Sequence, residues 1–128
     1  MTIEEAIRAQ LTSYSGLTAL IGDRALAVNI NETTALPAVT FQRISTVSLH
    51  HRGGYGLQSI RFQIDGWAKT LTAAVALRAQ IRAALAGYVN ASSPRVDATL
   101  LQDDRDLREA EAGKYRASMD FVFWATEN

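Results

Sequence analysis

Not one of the 128 residues is a cysteine. That excludes disulfide staples and thiolate metal sites, and it suits an intracellular chain. Neither charge is in excess: 13 Lys and Arg balance 13 Asp and Glu, whereas a dedicated nucleic-acid binder carries a basic surplus. No apolar run approaches the roughly 18 residues that a membrane span requires. The N-terminal stretch MTIEEAIRAQ is acidic and amphipathic and lacks the basic and apolar regions of a signal peptide. The glycines of Gly53-Gly54-Tyr55-Gly56 are followed by neither a G-K-S/T sequence nor a helix, so they do not form a phosphate loop. No internal repeat, low-complexity tract or linker divides the chain. Residues 1–128 are read as a single domain, and a hydrophobic content of 48% is enough to build its core.

The most informative stretch is Ser59–Leu85, where the apolar period changes. Ile60, Phe62 and Ile64 alternate with Arg61, Gln63 and Asp65, the period-2 signature of a strand with one buried face. After Gly66-Trp67-Ala68, Leu77, Ile81 and Leu85 recur every four residues among alanines, which predicts a helix over 71–86. Thr70 or Thr72 is its expected N-cap and Gly87 its stop. At the N-terminus, Thr2 and Glu5 form a T-x-x-E capping box ahead of an Ile3, Ile7, Leu11 face. Gly16 is expected to end that helix, with one more apolar turn before Gly22. Arg24–Ile30 reads as a short edge strand, and Pro37 opens a better one in which Val39, Phe41 and Val47 share a parity. The glycine-rich Ser48–Gly56 is expected to be a projecting hairpin loop. Val96, Ala98 and Leu100 predict one face of a further strand, and Glu109–Gly113 a second hairpin turn. Tyr115, Ala117, Met119, Phe121 and Phe123 mark the cleanest strand. At about 3.3 Å per residue, Lys114–Thr126 reaches roughly 40 Å, enough to cross a domain of this size or overshoot it as an arm.

The candidate sites each have a plainer reading. His50 and His51 point to opposite faces if extended, and no acidic residue lies within six positions, so a solvated loop with Arg52 and Tyr55 fits better than a metal site. Asp103, Asp104, Asp106, Glu109 and Glu111 could serve acid–base chemistry. The interleaved Arg105 and Arg108 instead favour a solvated hairpin end or an intersubunit ion-pair surface. Arg78 and Arg82 lie opposite Leu77 and Ile81, as a solvated helix face or as partners for a neighbour's acids. By parity Trp67 falls with Arg61, Gln63 and Asp65, and Trp124 with Arg116, Ser118 and Asp120. Two large aromatics on polar faces mark a subunit contact, unless a bulge at Gly66 turns Trp67 inward. No catalytic residue, cofactor or metal is assigned.

In pattern and order, nearly the whole chain resembles the tail-completion proteins of long-tailed bacteriophages, a family that includes tail-to-head joining proteins. The resemblance is carried by Leu36-Pro37-Ala38-Val39-Thr40-Phe41 as a strand start and by Arg61–Ala68 as a strand ending in Trp-Ala. The Thr72–Leu85 helix ending Arg82-Ala83-Ala84-Leu85 adds to it, as does Gly113-Lys114-Tyr115-Arg116 with Asp120, Phe121 and Trp124. It implies an α+β fold: a small, mostly antiparallel sheet built from two hairpins, packed by an N-terminal and a central helix. It also implies a ring of six subunits at the head-proximal end of the tail tube in the virion, assembled in the bacterial host cytoplasm. That ring would end tube growth, contact the major tail tube protein and the head connector, and let DNA pass without specific binding. No membrane is involved and no catalytic residues come with the family. Two other readings stand beside it. A nucleic-acid-binding α+β module would use sheet-face aromatics such as Tyr55 and Trp67 beside Arg61. A small enzyme would use the acidic hairpin.

Overall fold

The computed structural model describes residues 2–27, 36–48, 57–91, 94–109 and 114–126, with residues 106–109 described by backbone only. The helices are α1 (Ile3–Ser13), α2 (Ser15–Ile21) and α3 (Leu71–Leu85), and the strands are β1 (Ala25–Ala27), β2 (Ala38–Ser48), β3 (Gln58–Ala68), β4 (Arg95–Glu109) and β5 (Lys114–Thr126). The strands form one sheet in the order β1-β2-β3-β5-β4. Every pairing is antiparallel except β1 with β2. This is the expected α+β class. A separate α2 replaces the single extra turn read from the sequence.

Local chemistry sets the helix limits. Thr2 accepts from the Glu5 amide while the Glu5 carboxylate accepts from the Thr2 amide, completing the capping box. Gly16 does not end α1. Tyr14 is extended there, capping α1 and starting α2, and Gly16 lies inside α2. Gly22 ends α2 with a φ of 61°. Thr70 caps α3 by accepting from the Ala73 amide at 3.1 Å. Gly87 follows the C-cap Ala86 with a φ of 77°, a conformation open to glycine at little cost.

All three helices bury their apolar stripes on one face of the sheet. Ile3, Ile7 and Leu11 of α1, Leu17 and Ile21 of α2, and Leu77, Ile81 and Leu85 of α3 join Ile60, Phe62, Ile64, Met119, Phe121 and Phe123 in one cluster. Gly66 is the point of closest approach. A Cβ there would stand 2.9 Å from Leu77 Cγ and Cδ2 and 3.1 Å from Ile81 Cδ1, so α3 lies almost on the backbone of β3. Pairing runs regularly through Gly66, opposite Val39 on one side and Ala117 on the other. No bulge turns Trp67 toward the core.

Three register shifts correct the strand faces read from parity. β2 shifts between Arg43 and Ser45, leaving Ile44 as the extra residue. Val47 therefore leaves the face of Val39 and Phe41 and pairs with Ser59 on the opposite side. β4 shifts between Val96 and Ala98 and again between Leu101 and Asp103. Val96 faces the helices, whereas Ala98 and Leu100, opposite Trp124 and Val122, face away. The three do not share a face as expected.

β5 pairs with β3 from Tyr115 to Ala125 and with β4 along its whole length, so it crosses the sheet without overshooting it as an arm. The β2–β3 connection leaves the sheet beside Ala125, and the β4–β5 connection leaves it beside Ala68, at the opposite end. The outer edge of β4 is partly closed: Val96 exchanges backbone hydrogen bonds with Asn90, and the Gly87 amide donates to Thr99. The outer edge of β2 has no neighbouring strand past Phe41 among the described residues.

Candidate functional site

The sheet has a second face, and among the described residues no helix covers it. Its composition changes along the strands. At one end lie Val47, Val122, Trp124, Ala98 and Leu100 in adjacent register positions. Val47 is 57% and Leu100 56% exposed, and Trp124 and Val122 are half-buried. Ser59, Leu100, Leu101, Gln102, Val122 and Trp124 line a shallow groove there.

The middle of this face is ionic. Asp120, almost fully buried, accepts from Arg61 and lies 3.6 Å from Arg105 Nη1; Arg105 also binds Asp103. The Arg105 guanidinium loses some solvent, which alone would lower its pKa, but the negative charges of Asp120 and Asp103 outweigh this and raise it. Arg116 Nη1 lies 3.7 Å from Asp65 Oδ2. Arg61, Arg105 and Arg116 are thus matched one for one by Asp65, Asp103 and Asp120. This ionic middle carries no net surplus of the kind that grips a phosphate backbone.

Trp67 closes the far end. Its indole Nε1–H donates to Thr40 Oγ1 at 3.0 Å, and the Arg116 guanidinium stacks over its ring at 5.0 Å. Eight residues of strand separate Trp67 from Ser59, the partner of Trp124, so the two tryptophans stand about 26 Å apart and do not form one patch. Trp67→Phe is expected to lower stability by about 1 kcal/mol, because Thr40 is buried and would lose its donor. Urea denaturation checks this. An unchanged midpoint would mean that the indole contributes shape alone.

The other sequence candidates disperse. Asp103 and Asp104 are neighbours on opposite faces: Asp103 pairs in register with Asp120, whereas Asp104 faces the helices and forms an ion pair with Arg78 Nε at 3.1 Å. An acidic site built on both carboxylates is therefore broken by the strand pleat. Among the described residues no three His, Asp or Glu side chains converge on a possible metal position. Arg82 stays exposed on α3. His50, His51, Arg52 and Tyr55 lie outside the described residues.

Sequence reasoning missed a second outward surface. On α3, Leu71 (50% exposed) and Val75 (45% exposed) follow each other at helical spacing, and Arg82 continues the stripe. The helical period that identifies Leu77 and Ile81 as core also places these residues on the far side.

Comparison with known proteins follows from this geometry. The family model described as "Tail completion protein gp17" matches residues 5–126. No curated protein sequence matches the chain. Among solved structures, a chain from one described as "Virion of native gene transfer agent (GTA) particle" superposes with a TM-score of 0.81. It is 19% identical, and the match covers 94% of this chain and 91% of that one. At that identity the likeness is one of fold.

Proposed function

The chain belongs to the tail completion protein gp17 family, and on that premise we propose that it forms a ring at the head-proximal end of a tail tube. It is a structural protein of a phage-type tail. In this reading the ring has six subunits, stops tube growth, and offers its free surface to the head connector. Its partners are further copies of itself, the major tail tube protein and the connector, and its place is the virion at the head–tail junction. The observation that carries the reading is the family match over nearly the whole chain, together with two apolar surfaces that none of the described residues covers. The source of the structural neighbour, a virion particle, accords with it.

Several features support a joining role. A heterologous contact repeated about an axis closes into a ring, and that requires two different surfaces on each copy. Trp67, Trp124, Asp103, Asp104, Arg105, Arg78 and Arg82 remain the proposed contact residues among those described. His50, His51, Arg52 and Tyr55 are proposed with them from the sequence alone. DNA passing through the ring would meet a chain without net charge, which suits passage without specific binding.

The test is tube capping. Purified protein is added to its cognate tail tube protein during polymerisation, and tube lengths are measured by electron microscopy. Shorter tubes with a collar at one end are expected. Tubes of unchanged length, with the protein left in the supernatant after pelleting, would sink the reading.

A further inference from the structure

Taking the ring reading as given, we propose that the outer ridge of α3 in one copy seats in the apolar groove on the helix-free sheet face of the next. The occupant of the groove is thus a second copy of this chain. The ridge consists of Leu71 and Val75, and the groove is centred on Leu100 beside Trp124 and Val122. The two surfaces lie on opposite layers of the domain. Each copy therefore gives a ridge on one side and receives one on the other, the head-to-tail arrangement from which rings are built.

The charges match in sign. α3 contains no acidic residue, and exposed Lys69 and Arg82 flank its ridge. Arg82 stands about 10 Å from Val75 along the helix axis at 1.5 Å per residue, and Lys69 precedes the N-cap Thr70 at the other end. Around the groove, the exposed acids Asp97 and Asp103 lie three residues on either side of Leu100. Because Gln102 is an extra residue, Asp103 lies only two register steps from Leu100, roughly 7 Å along the strand at about 3.3 Å per residue, and Asp97 sits at the other shift. A ridge flanked by basic residues thus faces a groove flanked by acidic ones. Arg95 and Arg105 hold these acids in local ion pairs at the surface, with the carboxylates still open to solvent. Such exposed pairs exchange partners at little cost.

The groove owes its existence to the two β4 register shifts. With unbroken alternation from Val96, both Ala98 and Leu100 would face the helices. The irregularity at Asp97 turns them onto the helix-free face, and the one at Gln102 returns Asp104 to the helix side, where it meets Arg78. Bulges that re-aim side chains in this way are built features of a sheet.

The absence of native cysteine makes the test clean. Val75→Cys and Leu100→Cys are prepared separately, each at an exposed position, and oxidised with copper phenanthroline at equal concentration, alone and mixed. The mixture is expected to give at least roughly ten-fold more disulfide-linked dimer than either variant alone, since docking holds two thiols at an effective concentration on the order of millimolar. A chain carrying both substitutions should give a ladder ending in one closed species. A mixture yielding no more dimer than the single variants overturns this contact, even if the wild-type protein caps tubes. A ladder that grows without closing supports the contact and counts against the ring.

Discussion

Phe62→Ala should cost about 3–5 kcal/mol of stability, a large part of the 5–15 kcal/mol that typically separates native from unfolded. Phe62 is fully buried at the centre of β3, and its ring meets Phe123 edge-on with centroids 5.6 Å apart. The Arg43 guanidinium caps it at 5.6 Å. Truncation would remove the transfer free energy of the ring, open a cavity between β3 and the helices, and discard an aromatic pair worth about 0.5–1.5 kcal/mol beyond its area. The melting temperature should fall by on the order of 15 °C for a domain of this size. Ile44→Ala is the matched control. Ile44 is the extra residue of the β2 bulge and is exposed, so its truncation should change stability by no more than about 0.5 kcal/mol. A Phe62→Ala loss as small as that of Ile44→Ala would mean that the helices do not pack on this face.

Gly66→Val should cost about 3 kcal/mol, the upper end of the usual range for overpacking. The reason is specific: any Cβ at Gly66 meets Leu77 Cγ and Cδ2 at 2.9 Å, and valine adds two methyl groups beyond it. Either α3 lifts off the sheet or Leu77 leaves its rotamer. Leu77→Ala removes the obstructing atoms and, by itself, should cost about 2–5 kcal/mol as a large-to-small core change. Combined in one chain, the two substitutions should cost clearly less than their sum, with a coupling of at least about 1 kcal/mol, because the valine fills the space that Leu77 vacates. Strict additivity in denaturant titrations would show that α3 does not sit over Gly66.

Much of this architecture can be read from residue order, and its failures have a common physical cause. β3 and β5 alternate without interruption because both are interior strands, hydrogen-bonded on both sides, with one face against helices. Their parity correctly assigns Trp67 and Trp124 to the helix-free face. Among the described residues, β2 and β4 have a free side for part of their length, where an extra residue can be accommodated without breaking two ladders. Ile44, Asp97 and Gln102 are not glycines, and nothing in their identity marks a bulge, so each inverts the parity read past it, and the second β4 shift restores what the first inverted. That is why Val47, Ala98 and Leu100 looked like core and are outward-facing instead. Gly16 misled for the opposite reason. A glycine can lie inside a short helix for about 1 kcal/mol, and the true break is the extended Tyr14. The groove on the helix-free face was illegible because it is a product of the bulges. The α3 ridge was legible in principle, since an exposed Leu71–Val75 pair stands out once the buried stripe has been drawn.

The opposite placement of the two hairpin connections has a mechanical meaning. A pull applied between the β2–β3 end and the β4–β5 end would enter β3 and β5 each at its N-terminus, and in this antiparallel pair the two N-termini lie at opposite ends. These central strands are joined by eleven antiparallel register pairs, from Gln58–Ala125 to Ala68–Tyr115. Such a load shears the ladder along its length, so that its hydrogen bonds share the force together and none is peeled first. A subunit gripped at its two poles would behave as a stiff tie-rod, and it would unzip easily only if both grips were taken at the same end.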